Sequence, residues 1–217
     1  VLLTGFAPFD GAEANPSADA VRLVARDWTD RAKLVTAVLP VSFARAAEEL
    51  AALIAEHDPD VVVATGLAGG RAAVSVERVA VNLVDARIPD ADGVQPVDVP
   101  SLPGAGPAAF SSLPVKAIVR AIGDVGIPAE LSMTAGSYVC NHVFMHAAAW
   151  AAASGRHAGF IHVPWGTGQA PSGGVASHGT PEPPELPVET IAAALRIAIR
   201  TSLDVSEDLH HPAGTIA

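Results

Sequence analysis

The 217-residue chain is long enough to bury a sizeable core, and half of it is apolar, yet its longest apolar runs fall well short of a membrane span. Thirteen basic residues against 23 acidic ones give a formal charge of −10, which argues against nucleic acid or an anionic membrane surface as the main partner. A single cysteine excludes an internal disulfide framework and an all-cysteine zinc site. The first residues lack the basic, apolar and cleavage segments of a secretory leader, so the expected location is cytoplasmic. The chain begins at Val1 rather than Met, which leaves room for further N-terminal residues.

In chain order, Val1–Gly5 reads as a buried strand ended by glycine, followed by the turn-rich Phe6–Gly11 with two aromatics three residues apart. Asn15-Pro16-Ser17 starts a helix that should run to about Arg26. Lys33–Leu39 is a strand stopped by Pro40, and Ser42 caps a helix over Phe43–His57. Asp60–Thr65 is a fully apolar strand with the glycine loop Gly66–Gly70 behind it, and Val74–Val84 is another, with Val81–Leu83 as its buried part. Continuous apolar strands alternating with helices predict a parallel sheet covered on both faces. Asp85–Pro114 reads as a long loop, Val115–Gly123 as a helix and Ala129–Met133 as a strand. An Ala-rich helix over Val139–Ala153, a strand over Gly159–Val163 and an amphipathic helix over Val188–Leu203 follow. Gly166–Pro187 reads as a mobile Gly/Pro/Ser segment and residues 205–217 as a loose tail. No linker divides the chain, so residues 1–217 form one domain.

Cys140 stands where a turn, Thr134–Ser137, hands a strand over to a helix. Unpaired N–H groups and the positive end of a helix dipole favour a thiolate there, although a lone cysteine also serves as a small buried hydrophobe. A nucleophilic cysteine needs a base, and the base an orienting partner. His142 and His146 lie four apart on the same helix, but with no third ligand type nearby they read as structural rather than metal-binding. His57, His157 and His178 fall in turns or loops, and His210 and His211 in the tail. His162 sits near the C-terminal end of an apolar strand, the edge where open α/β sheets gather their catalytic groups; a hydrogen-bonded core histidine is the alternative. Glu77 heads an apolar strand and is either an orienting carboxylate or an ion-pair partner of Arg71 or Arg78. Gly66–Arg71 is only a weak likeness of a phosphate cradle, lacking the Lys-Ser/Thr of a P-loop.

Three segments resemble those of the pyroglutamyl peptidase I (pyrrolidone-carboxylate peptidase) family of cysteine peptidases: G-L-A-G-G-R-A-A-V-S-V-E-R-V-A-V-N over Gly66–Asn82, L-S-M-T-A-G-S-Y-V-C-N over Leu131–Asn141, and G-F-I-H-V-P over Gly159–Pro164. The opening L-L-T-G-F-A-P-F and Asp85–Asp90 (D-A-R-I-P-D) match as well, so the likeness spans Val1 to about Asp204. It implies a single-domain α/β/α sandwich around a largely parallel, mixed, twisted sheet. It also implies removal of the N-terminal pyroglutamyl residue from peptides through a thioester acyl-enzyme, with no metal and no cofactor. A homo-oligomer, commonly a tetramer, belongs to the same implication. By resemblance the nucleophile falls on Cys140, the histidine on His162 and the glutamate on Glu77. Arg87 is a candidate oxyanion donor beside the backbone N–H groups of the Cys140 helix. Phe6 and Phe9 resemble the walls of the pyroglutamyl slot, with Ile88, Tyr138 and Val139 nearby and Asn15 and the Leu67 backbone set to bond the lactam. Plain core packing is the other reading of the two phenylalanines. Asp10 stands where many relatives have glycine, and the segment after Pro164 is richer in glycine than the family pattern. Two other classes are weighed: a nucleoside-phosphorylase-like transferase, which shares this architecture, and a ligand-binding relative without turnover.

Overall fold

The computed structural model describes residues 1–170 and 183–214. Its elements run β1 (Leu2–Phe6), α1 (Pro16–Arg26), β2 (Val35–Leu39), α2 (Phe43–His57), β3 (Val61–Leu67), β4 (Val74–Glu77), β5 (Val79–Val81), β6 (Ala108–Phe110), α3 (Val115–Gly123), β7 (Ala129–Ser132), α4 (Val139–Ser154), β8 (His157–Val163), β9 (Trp165–Gly166), β10 (Glu185–Leu186) and α5 (Val188–Asp204). Local chemistry sets several of these bounds. Asn15 Oδ1 accepts from Ser17 N at 3.0 Å ahead of Pro16 to open α1, and Ser42 Oγ accepts from Arg45 N at 3.2 Å to open α2. Gly155, at φ 69°, closes α4 in the left-handed region.

Six strands form one sheet in the order β2-β1-β3-β8-β4-β7. Every pairing is parallel except β4 with β8. One face packs Leu2, Val62, Ala64 and Phe160 against α2 and α4. The other packs Leu3, Val63, Val76 and Ile161 against α1, α3 and α5. Alternate residues of each strand therefore feed two separate cores, which is why the central strands read as unbroken apolar runs. The sandwich expected from the sequence is the architecture observed.

Some elements differ from their sequence reading. Val74–Val84 is two strands, because Arg78 changes partners: its N–H donates to Ser132 O of β7 at 2.7 Å, while its carbonyl accepts from Ser111 N beside β6 at 3.0 Å. The buried part is Val74–Glu77, whereas Leu83 is exposed. β6 interrupts the segment read as loop and pairs antiparallel with β5. Gly66 and Leu67 belong to β3 rather than to a glycine loop. His57 ends α2 and His157 begins β8. Within Gly166–Pro187, Gly166 and Leu186 pair in a short parallel ladder; residues 171–182, with His178, lie outside the described residues. In the tail, Asp208 Oδ1 accepts from Lys116 N and Ala117 N, both at 3.0 Å, at the uncapped N-terminus of α3.

Candidate active site

The site lies on the α4 face of the sheet, where β1, β3 and β8 end together. Gly66 of β3 pairs with His162 of β8, and His162 with Ser75 of β4. Glu77, two residues beyond Ser75 and so on the same face, reaches His162 diagonally. His162 is 4% exposed and Glu77 fully buried, and Nδ1 of the imidazole lies 2.7 Å from Glu77 Oε1. A carboxylate oxygen only accepts, so Nδ1 carries the hydrogen and Nε2 is the basic nitrogen. The same Oε1 takes a second donor, Arg71 Nη1, at 2.6 Å, and Oε2 has no partner among the described residues. Glu77 thus contacts an imidazole and a guanidinium at once, and its ion-pair partner is Arg71 rather than Arg78. Arg78 pairs with Asp208 at 3.7 Å instead.

Cys140 arrives from above on the first turn of α4. The N-cap, Tyr138, supplies no side-chain cap, so the first N–H groups of the helix keep no side-chain acceptor there. Asn141 clamps this turn to β5 by accepting from Val81 N at 3.0 Å and donating to Val81 O at 2.8 Å. Room for the sulfur comes from Gly66. A Cβ on that glycine would lie 2.7 Å from Cys140 Sγ, 3.0 Å from Phe160 Cζ and 3.4 Å from Phe6 Cδ2. Gly66, a strand partner of His162, is therefore a glycine by steric need.

The thiol does not follow the helix-dipole expectation. Burial, and next the negative charge of Glu77, push it up to about 12, against the opposing pull of Arg71 and its own backbone N–H. Burial likewise holds the His162 imidazole below its ordinary value, although the bond and charge of Glu77 act the other way. For both groups burial works toward the neutral form.

A cavity of about 260 Å³ opens over Cys140, lined by Phe6, Phe9, Asn15, Leu67, Tyr138 and Val139 among others. Phe9 and Tyr138 pack with ring centroids 6.1 Å apart, and Tyr138 OH donates to Pro89 O at 2.9 Å, tying the Asp85–Asp90 loop to the rim. Ile88 and Arg87 ride on that loop but do not line the cavity, and Arg87 is exposed. The loop is held from its other end, where buried Asp90 accepts from Phe43 N at the start of α2 at 2.9 Å. Asn15 is largely committed to structure. Its Oδ1 accepts from Ser17 N and Oγ, and its Nδ2 donates to Ala7 O at 3.1 Å, leaving one amide hydrogen without a partner among the described residues. Asp10, at φ 53°, also reaches the lining.

Sequence reasoning passed over Val41 and Trp165, which line the wall together with Ala12 and Ala14. Trp165 follows directly on the G-F-I-H-V-P segment, and Gly69 has no room for a Cβ against its indole Nε1, so the glycines behind β3 and the tryptophan behind β8 are one packed unit. On the far side of α4, His142 Nδ1 lies 2.9 Å from Ser101 Oγ and its ring 4.5 Å from that of His146. No group of three His, Cys, Asp or Glu side chains suited to a metal occurs among the described residues.

The pyroglutamyl peptidase family profile matches residues 1–205. The pyrrolidone-carboxylate peptidase of Clavibacter michiganensis subsp. michiganensis is 44% identical, with 100% of this chain and 98% of the relative covered. That of Klebsiella pneumoniae is 47% identical over 96% of this chain and 94% of the relative. Among solved structures, pyroglutamyl peptidase I of Bacillus amyloliquefaciens superposes with a TM-score of 0.88 at 37% identity, covering 96% of this chain and 98% of that one. Pyrrolidone carboxyl peptidase of Thermococcus litoralis gives 0.86 at 36% identity, covering 97% and 98%. The chain belongs to the pyroglutamyl peptidase family.

Proposed function

We propose that this chain is a cysteine exopeptidase that hydrolyses the N-terminal pyroglutamyl residue from peptides, with Cys140 as nucleophile, His162 as base and acid, and Glu77 as the group that orients His162. The observation that carries the reading is the buried His162–Glu77 bond of 2.7 Å beside a cavity whose wall includes the only cysteine.

In the reaction, Sγ attacks the pyroglutamyl carbonyl as Nε2 of His162 takes the thiol proton. Burial works against charge separation between the thiol and the imidazole, which favours proton transfer in step with attack. Glu77 stabilises the imidazolium so formed. The uncapped N–H groups at the start of α4 face the developing oxyanion, with Arg87 a more distant candidate that would need its loop to move. Collapse breaks the C–N bond, the leaving amine takes the proton from Nε2, and the acyl group remains as a thioester on Cys140. Water, deprotonated by the same nitrogen, then releases pyroglutamate and the free thiol.

The lactam of pyroglutamate carries no charged amine, which suits a slot walled by Phe6, Phe9, Tyr138 and Val139. The Leu67 backbone and the remaining amide hydrogen of Asn15 are the proposed lactam partners. Ile88 serves at one remove, by supporting the rim. None of these steps calls for a metal or cofactor. By family resemblance the reading extends to a cytoplasmic homotetramer without nucleic-acid or membrane partners. The net charge of −10 weighs against nucleic acid and anionic membrane surfaces as partners, and no helix among the described residues is long and apolar enough to cross a membrane.

The test is release of a chromogenic amine from a pyroglutamyl amide, with and without iodoacetamide and with a proline amide alongside. Pyroglutamyl-selective release abolished by alkylation is the expected outcome. Absence of release under reducing conditions would leave the ligand-binding reading, and release insensitive to alkylation would remove Cys140 from the chemistry.

A further inference from the structure

We propose that Arg71 is a positioning residue of this site, a single guanidinium that joins the carboxylate behind His162 to the loop that delivers Cys140. The inference rests on the cysteine peptidase reading above. Its Nη1 donates to Glu77 Oε1 at 2.6 Å and its Nη2 to Thr134 O at 2.9 Å. The Arg71 backbone is itself fixed, with its N–H donating to Ala68 O at 3.0 Å in the turn behind β3. A planar fork of this kind holds two acceptors at a set separation, which an ammonium cannot do.

Two consequences follow from the contacts. The first is geometric. Glu77 Oε1 receives both Arg71 and His162, while Oε2, also buried, has no partner among the described residues. The carboxylate is therefore turned by Arg71 so that one oxygen bears on the imidazole. Thr134 lies in the strand-to-helix turn, where its Oγ1 accepts from Gly136 N at 3.0 Å, so the same guanidinium steadies the approach to Tyr138 and Cys140.

The second consequence is electrostatic. The titratable or charged groups around the imidazole are Glu77 of β4, Arg71 of the turn behind β3 and Cys140 of α4. Glu130 of β7, the next carboxylate across the sheet, is engaged by Ser75 Oγ at 2.7 Å. Glu77 is a fully buried carboxylate, and Arg71, at 2.6 Å, is the cation paired with it. The same positive charge opposes protonation of His162 and favours ionisation of Cys140. Removing it should move both titrations toward alkaline pH.

The test compares wild type, Arg71→Met and Arg71→Lys by kcat and KM on a pyroglutamyl amide across pH, and by the rate of iodoacetamide alkylation across pH. Arg71→Met should lose roughly 10²-fold in kcat with KM nearly unchanged, the loss typical of a displaced catalytic group. The acid limb of its kcat/KM profile and its alkylation profile should both shift to higher pH. Arg71→Lys should return both profiles toward wild type while recovering only part of kcat, because it restores the charge but not the fork. Wild-type kcat with unshifted profiles in a folded Arg71→Met, or a loss confined to KM, would overturn the proposal. Should Arg71→Met fail to fold by circular dichroism, Arg71→Lys decides alone: a lowered kcat supports the fork, and wild-type kcat overturns it. A wild-type protein inactive on the amide would fail the function reading, whereas the alkylation profiles would still judge Arg71.

Discussion

One buried histidine, His162, lies on β8 and another, His142, on α4 itself, and their surroundings differ in what each prepares the ring to do. His162 is 4% exposed and His142 9%, and burial is the leading influence that pushes each below its ordinary range. They differ in what faces the ring. His162 meets a carboxylate at 2.7 Å, backed by Arg71. His142 meets the neutral hydroxyl of Ser101 at 2.9 Å, the edge of Phe43 with centroids 5.6 Å apart, and a second imidazole. Burial makes any imidazole reluctant to take a proton. Only where a carboxylate lies behind the ring does accepting one during a reaction become accessible. A hydroxyl of equal reach secures the ring without preparing it for charge.

The sharpest way to break this comparison is to remove groups from each side and read turnover. Cys140→Ala and His162→Ala should each lower kcat by about 10⁴-fold or more, and the double variant should fall little further, because the pair acts as a unit. Glu77→Gln should cost on the order of 10²–10⁴-fold, since an amide can present its hydrogens to Nδ1 and favour the wrong tautomer. His142→Gln should leave kcat within about twofold, a surface-like response in activity despite its burial. A large loss of kcat in His142→Gln, with the fold intact, would erase the distinction between the two rings.

A smaller effect separates them through stability against pH. His142 is pushed down to about 4, by burial first and then by the charge of His146, while a bond to Phe43 pulls the other way. His146 is lowered as well, again chiefly by burial. In the unfolded chain a histidine takes its proton near pH 6.5, so between there and about pH 4 the unfolded state binds protons that the folded state refuses. Stability therefore falls as pH drops through that window, by up to about 3 kcal/mol for His142 alone, and is unaffected by this group above it. Urea unfolding of wild type and His142→Gln from pH 8 to 4 measures the difference, with a shallower decline expected in the variant. The acid limb of kcat/KM, which reports His162, should be the same in both. Equal slopes in the unfolding series would mean that His142 is not held neutral by its surroundings.

Much of this arrangement was legible in the sequence, for identifiable reasons. Ser42 and Asn15 announced helix starts because capping is a contact between near neighbours in the chain. The Cys140 turn announced itself because glycine and serine cluster where a strand passes into a helix. The split at Arg78 was not legible, since it depends on a change of partner between β7 and β6, which pattern within one strand does not record. Nor was the direction in which the thiol moves. The helix start is local, but the burial and the Glu77 charge that outweigh it come from β3, β4 and β8. Arg71 was visible only as one of two ion-pair options, and Trp165 fell outside the quoted segment although it abuts it. The roles assigned to Cys140, His162 and Glu77 came from family resemblance; spacing alone left each with a structural alternative.

The mildest prediction concerns Ser101, the counterpart of Glu77 on the other side of the helix. Its hydroxyl faces His142 Nδ1 at 2.9 Å, and its carbonyl lies 3.3 Å from His146 Nε2. Ser101→Ala deletes the hydroxyl and keeps the carbonyl, leaving one ring nitrogen of a buried imidazole without a partner. The expected result is a loss of roughly 1–2 kcal/mol in urea unfolding at pH 7.5, the usual cost of an unsatisfied buried polar atom. Turnover and its pH profile should stay at wild-type values, the reverse of the outcome for Glu77→Gln. Lowered kcat in Ser101→Ala without loss of stability would place the Ser101–His142 pair in the chemistry, because a partner that only secures a ring cannot change rate while leaving the fold untouched.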